Sequence, residues 1–291
     1  MIPLFRAEAQ NRGTYPLGMS AANSGVTPGS GLTYSNQLLY YSRNISKDND
    51  GNALPVAGDN AVLMDLSSIV WVSDWKVLGA VYSASATLPV ATNSLTSDTY
   101  GTVSGGTGLA DAYLLPLILG WNGERVSVRA MAGILAPTGR FTATANDNVG
   151  NGYWSPTLAS GQTVQMLKSK TLTFSMFEMY EFHTRQEGSG IHPGQNIDLD
   201  YSLLVALPSA EGFRVQMGLA GYEQRQTTAK TGPRLSAAES ASRYAVNAIG
   251  FAVSGTAPKH KLNLGLKYFK EFANQSTYQG YSAQFMIGIS F

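Results

Sequence analysis

The sequence predicts an all-β protein, a transmembrane antiparallel β-barrel of about twelve strands. Three observations predict it. Apolar and polar residues alternate at period two, short and long connections take turns along the chain, and charge is scarce although the chain is not apolar. Of 291 residues, 44% are hydrophobic and 13% charged, against roughly 25% charged in an average soluble domain. Mean hydropathy is nonetheless −0.07, because 31 Gly and abundant Ser, Thr, Asn and Gln fill the gap. A wall with lipid on one face and water on the other has this balance.

Bulk properties exclude several other classes. A net charge of +1 and a pI near 7.8 leave no electrostatic footprint for nucleic acid. The absence of cysteine removes disulfides, zinc–thiolate sites and thiol nucleophiles. No residue pattern calls for a metal or cofactor. Asp48-Asn-Asp-Gly-Asn52 superficially resembles a calcium loop, but Gly51 is misplaced and no Glu closes it, so a solvated turn is expected. No stretch approaches the ~18 apolar residues of a membrane-spanning helix, which excludes a helical membrane protein. The N-terminal MIPLFRAEAQ is too short in its apolar part for a signal-peptide core, so any export signal is expected to have been removed.

The expected strands are 32–42, 61–72, 76–90, 109–121, 125–136, 153–160, 171–183, 196–207, 213–228, 243–256, 261–272 and 277–291. An even number suits a single-chain bacterial barrel. The sixth has the weakest pattern, and losing a pair around residues 160–170 would leave ten. Tight turns are expected at Ser73-Asp74-Trp75, Asn122-Gly123-Glu124, Pro208 to Gly212 and Pro258-Lys259-His260. Long polar loops are expected over 43–60, 91–108, 139–152, 185–195 and 229–242. Short turns on one side and long loops on the other are the mark of outer-membrane barrels. Helical periodicity is confined to a turn or two near Ser236 to Ala245.

In the last strand Tyr281, Ala283, Phe285, Ile287, Ile289 and Phe291 share one face. A terminal Phe preceded by apolar residues at every second position looks like the C-terminal assembly signal of outer-membrane barrels, carried by Phe285, Ile287, Ile289 and Phe291. Such a strand left free on a soluble protein would invite aggregation.

An ordered set of short motifs adds a resemblance. It comprises Tyr15-Pro-Leu-Gly18, Pro28-Gly-Ser-Gly-Leu32, Asn36-Gln-Leu-Leu-Tyr-Tyr41, Leu115-Pro-Leu-Ile-Leu-Gly-Trp121, Ala136-Pro-Thr-Gly139, Asn151-Gly-Tyr-Trp-Ser-Pro156, Pro193-Gly194, Asp198-Leu-Asp-Tyr201 and Gly221-Tyr-Glu-Gln224. Together they resemble the outer-membrane channels associated with degradation of phenol and other aromatic compounds, over nearly the whole chain. Thr27 and Ser30 stand where more proline is expected. The resemblance implies a barrel admitting small hydrophobic or aromatic molecules, with the segment before the first strand folded into the lumen. The division is then 1–31, a lumenal plug, and 32–291, the barrel. Tyr15, Pro16, Leu17, Met19 and Val26 supply the plug with apolar surface; on the residues alone, a disordered tail is the equal alternative.

Parity reads the lumen. If Ile197, Leu199 and Tyr201 face lipid, Asp198 and Asp200 point inward, as do Arg129, Arg214 and Lys267. A cation on the lipid face near the midplane would cost about 2–4 kcal/mol. Mixed signs argue against an ion filter, which needs a ring of one sign. Val81, Met131, Leu135, Leu204, Ala206 and Met286 make other inward positions apolar or small, which with a narrow bore favours hydrophobic solutes over sugars. Glu178 and Glu181 have opposite parity, so one should lie near a rim or beyond a bulge. Aromatic residues at strand ends, among them Trp71, Trp75, Trp121 and Tyr268, suit interfacial girdles.

The expected protein is therefore a monomeric passive channel in the outer membrane of a Gram-negative bacterium. Its partners would be outer-membrane lipid and lipopolysaccharide, the barrel-assembly machinery and small hydrophobic solutes. Two rivals remain. An outer-membrane lipase or protease would need a base, and only His183, His192 and His260 exist, with no nucleophile motif beside them. A non-conducting structural barrel is the other.

Overall fold

Alternation becomes wall. The computed structural model describes residues 12–97, 101–104, 106–143, 145, 148–209, 212–233 and 235–291. Twelve strands form the wall: β1 (Gly31–Lys47), β2 (Ala53–Val77), β3 (Ala80–Ser97), β4 (Ala112–Asn122), β5 (Val126–Ala136) and β6 (Ser155–Gln165) lead. β7 (Leu172–Glu181), β8 (Asn196–Leu207), β9 (Arg214–Gln226), β10 (Ala245–Ala257), β11 (Leu262–Glu271) and β12 (Tyr278–Ser290) follow. Each pairs antiparallel with its sequence neighbours. β1 also pairs with β12, from Thr33 opposite Ser290 to Ser46 opposite Tyr278, so the sheet closes. Closure leaves no backbone edge for hydrocarbon to strand without partners.

The lipid face carries exposed Leu38, Leu63, Ile69, Leu158, Leu203, Leu219 and Phe251, while their strand neighbours point into a buried interior. Phe285, Ile289 and Phe291 are exposed on the same face of the closing strand, with Ile287 half-buried between them. Two aromatic belts flank the apolar band. On the rim of short turns Trp75 stacks on Tyr82 at 4.8 Å and Trp71 leans on both. On the rim of long connections, extracellular in a bacterial barrel, Tyr281 contacts Tyr40 and Tyr268, each at 6.1 Å.

Three local expectations need correction. The turn is not at Ser73-Asp74-Trp75. Ser73 makes a bulge, donating to the carbonyls of Trp75 and Tyr82, and the chain reverses at Leu78-Gly79. Both turn residues have positive φ (51° and 78°), the conformation of a tight hairpin. The loops over 43–60 and 91–108 are shorter than expected, because β1, β2 and β3 continue as paired polar strands above the lipid. Polarity there reports exposure, not backbone conformation. The sixth strand runs to Gln165 rather than ending at Ser160.

The two carboxylates of β7 explain the third. Glu181, the last residue of β7, points inward, and Glu178 points outward with unbroken register to both neighbours, so no bulge intervenes. The Glu178 carboxylate accepts hydrogen bonds from Ser160 Oγ (2.6 Å) and Gln162 Nε2 (2.9 Å), outward residues of adjacent β6. β6 is polar where lipid should demand apolar residues because it solvates this carboxylate. Removing the charge while keeping the hydrogen-bonding outline should relieve a lipid-face penalty. Glu178→Gln is expected to raise folding stability in bilayers by about 1 kcal/mol, read by reversible unfolding in urea; a lower midpoint would show that the charge itself is needed.

Candidate functional site

Residues 12–30 form no helix or strand, yet much of this segment is buried. Buried amides and carbonyls without secondary structure must find other partners. The wall supplies them, and their order traces the path through the barrel. At the periplasmic rim Thr27 N–H donates to Asn122 Oδ1 (3.1 Å) and Asn122 Nδ2 returns a bond to Thr27 O (2.8 Å). Higher up, Gly25 N–H donates to Thr163 and Asn23 N–H to Ser175. A Cβ on Gly25 would fall 2.2 Å from Ser127 O, and one on Gly161 2.3 Å from Ser24 O, so both glycines permit backbone-to-backbone approach.

Midway, Asp200 accepts from Tyr15 Oη (2.7 Å), Gly18 N (2.8 Å) and Ser20 N (3.0 Å). Opposite, Lys267 Nζ donates to the carbonyls of Gly18 and Met19, both at 2.7 Å. Gln284 and Tyr41 both donate to Leu17 O. Nearer the extracellular rim Glu181 accepts from Thr14 and Tyr15 amides, and Gln224 from Gly13. The first described residue, Arg12, forks its guanidinium onto Glu271 at 2.6 and 3.0 Å, and residues 1–11 of the expected plug lie outside the described residues. Apolar packing accompanies the polar clamp: Tyr15 and Leu17 join Phe177, Met179, Leu204, Tyr222 and Phe269 in one buried cluster.

Asp198, Asp200 and Leu204 are fully buried, and Met131 and Lys267 nearly so. Arg129 Nε donates to Ser24 O (2.5 Å), and Met286 is half-buried on the inner face of β12. Pro16 and Met19 are half-buried. Two residues stand apart. Arg214 opens β9 at the periplasmic mouth, opposite Thr256, and is exposed; parity gives the side of the wall but not the depth. Val26 is 40% exposed rather than docked, because its amide closes a turn onto Asn23 O that carries the chain out toward the mouth. The anchors Tyr41, Glu181, Gln224, Glu271 and Gln284 escaped sequence reading, although inward parity marks each of them.

Beside the segment remains a recess of about 40 Å³. Pro16 and Met19 form one side, Met64, Leu66, Pro89, Tyr113 and Leu135 the other, with Thr14, Asp111 and Asn151 toward the rim. Asp111 is held by the amides of Gly139 and Asn151. A separate cluster joins three consecutive strands at the same rim. Ser155 Oγ lies 2.7 Å from His183 Nδ1, and His183 Nε2 2.5 Å from Asn196 Oδ1. The connectivity is that of a nucleophile, base and orienting amide. Ser155 is nevertheless 0% exposed, so no substrate carbonyl reaches it with the segment in place.

The sequence pattern of a family described as "putative MetA-pathway of phenol degradation" matches residues 43–287. The chain belongs to that family. Among solved structures it is similar to an outer membrane channel from Pseudomonas putida F1, with TM-score 0.69 and 13% identity over 92% of this chain and 98% of that one. It is also similar to the beta domain of a Bordetella autotransporter, with TM-score 0.55 and 12% identity over 90% and 100% of the two chains. At such identities the likeness speaks for the fold. No curated protein matches the chain.

Asp200 is the hinge of the clamp. Asp200→Ala removes the acceptor of three hydrogen bonds, at about 1.5–3 kcal/mol for each bond to a charge. Single-channel recording should show openings at least tenfold more frequent; an unchanged record would mean the segment is held elsewhere.

Proposed function

We propose that the protein is a monomeric channel in the outer membrane of a Gram-negative bacterium, admitting small hydrophobic or aromatic molecules passively, with residues 12–30 as its plug. The recess carries this reading. Its mainly apolar lining with a few polar groups at one end is the common make-up of a small-molecule site. The family description, which names phenol degradation, supports the same solute class. Lumenal charges of both signs act as plug anchors in this reading, rather than as a filter.

A deletion strain should grow more slowly on a limiting aromatic hydrocarbon and recover on complementation; normal growth on every candidate would remove the uptake reading. In planar bilayers, deleting residues 7–31 should raise conductance severalfold, whereas a barrel that stays closed would favour the structural alternative. The hydrolase alternative rests on Ser155, His183 and Asn196, and the sealing of Ser155 weighs against it.

Outer-membrane lipid and lipopolysaccharide are the surroundings this reading requires, and we assign Phe285, Ile287, Ile289 and Phe291 as the signal read by the assembly machinery. Deleting Phe291 should lower the heat-modifiable, folded fraction in outer membranes several-fold, while the purified chain still refolds in detergent. Equal folded fractions in the membrane would discard the assignment.

A further inference from the structure

The inward cations described so far all have partners. Arg12 forks onto Glu271, Arg129 donates to Ser24 O, and Lys267 to the carbonyls of Gly18 and Met19. Arg43 is different. It lies on the inner face of β1, near the extracellular end of the strand at Lys47. Its cross-strand neighbours are Asn60 on β2 and Gly280 on β12, neither of them charged. β1 slips register against both neighbours between Arg43 and Ile45, and an irregularity of this kind re-aims a side chain. The guanidinium is carried 4.9 Å over the ring of Tyr41. Among the described residues no group accepts a hydrogen bond from it, and its Nε is buried without a partner. A buried donor with no acceptor is rare enough in a folded chain to require a cause.

The carboxylate nearby cannot serve. The charged groups that face Arg43 are Arg12 and Glu271, and Glu271 is already saturated. Its oxygens accept from both terminal nitrogens of Arg12, from Tyr222 Oη (3.1 Å), from Asn274 Nδ2 (3.0 Å) and from Gly280 N (2.9 Å). A carboxylate has about four lone-pair sites, so none is left over. Two arginines thus face one carboxylate, and Arg43 remains as an unmatched positive charge at the mouth. A charge drawn out of water without a counter-charge is costly, and an anion would relieve it.

Beneath the guanidinium the surroundings turn apolar. Tyr41, held by its hydroxyl on Leu17 O, packs with Leu39 and Leu66, and Met19, Val62 and Met64 lie against them. Met19, Met64 and Leu66 also line the recess. A cationic fork therefore stands at the head of an apolar cluster that leads down to the recess. The fork matches a carboxylate with two parallel hydrogen bonds. The cluster below it asks for a hydrocarbon body, and a flat ring packs well on the tyrosine.

We propose that Arg43 and Tyr41 form a capture site for aromatic carboxylates at the extracellular mouth, with the carboxylate on the guanidinium and the ring toward Val62 and Met64. This rests on the channel reading above and adds an anionic class to its solutes. Arg43 holds no part of the inner segment, so the site is formed with the segment in place. Uncharged aromatics have no need of the fork.

Sodium benzoate, titrated calorimetrically into the folded full chain in detergent, is the test, with benzyl alcohol as its uncharged counterpart. The expected result is saturable benzoate binding, weakened about tenfold or more by Arg43→Gln, as for loss of hydrogen bonds to a charge. Arg43→Lys keeps the charge without the fork and should weaken it severalfold. Arg185→Gln, which removes an exposed loop cation, should leave it unchanged. Benzyl alcohol should bind all four chains alike, and acid that protonates benzoate should abolish the difference between them. No saturable binding by the unmodified chain overturns the site. So does benzoate binding that survives Arg43→Gln, or that falls equally with Arg185→Gln. Should Arg43→Gln fail to fold, full affinity in the Arg43→Lys chain overturns it. Uptake of radiolabelled toluene by cells tests the channel reading separately and should be equal for the unmodified and Arg43→Gln chains. No toluene uptake above a strain lacking the protein would sink the channel reading, and capture for transport with it, even where benzoate binds.

Discussion

Hydrocarbon offers no partner to a peptide group, and the architecture follows from that. A strand can lie in lipid only if both its edges are paired, so β1 must find β12 and the wall must close. Closure creates an interior, and that interior also has to be filled or wetted. In this protein it is filled by a stretch with no regular structure, which meets the same demand in a different way. Its amides and carbonyls are bonded by side chains of the wall, from Asn122 on Thr27 at one end to Gln224 on Gly13 at the other, and Glu271 holds the Arg12 side chain beyond. The buried charges of the bore thus have a structural meaning before any functional one. Asp200 and Lys267 act as fixed acceptor and donor for a backbone whose own hydrogen bonds are confined to isolated turns.

The wall and its filling impose opposite tastes on one strand. β6 shows the result. Inward, Thr163 and Gly161 serve the segment. Outward, Ser160 and Gln162 serve Glu178. With both faces polar, period-two contrast fades, although the strand is as well paired as its neighbours. A carboxylate in the lipid-facing wall is tolerable because it brings its own solvation from the next strand, which lowers the cost of placing it there.

Much of this was legible in the sequence. Alternation finds strands wherever one side meets lipid, and parity places Asp198, Asp200, Arg129 and Lys267 on the inner face, since it follows from the pleat alone. It gives no depth, so Arg214 could not be told from a residue of the closed bore. It fails where both faces are polar, as at β6, and it cannot follow a segment with no period, so Val26 was grouped with Tyr15 and Leu17. Turn chemistry misled at Ser73 because a bulge and a turn use the same residue types; the aromatic stack of Trp75 on Tyr82 continues the hairpin past it. The Ser155, His183 and Asn196 cluster was hidden for another reason. Its members lie far apart in sequence and meet only through the register of three strands.

The anchors of the inner segment also bear on the order of events during folding. Arg12 reaches Glu271, and Leu17 is held by Gln284, partners more than two hundred residues away that belong to the last hairpin of the chain. Contacts of such sequence separation form late, after the loop-closure entropy between them has been met. The residues that leave the ribosome early are therefore among the last to settle. Until β11 and β12 arrive the cylinder has neither its seam nor its full set of clasps, and the nascent barrel is hollow before it is full.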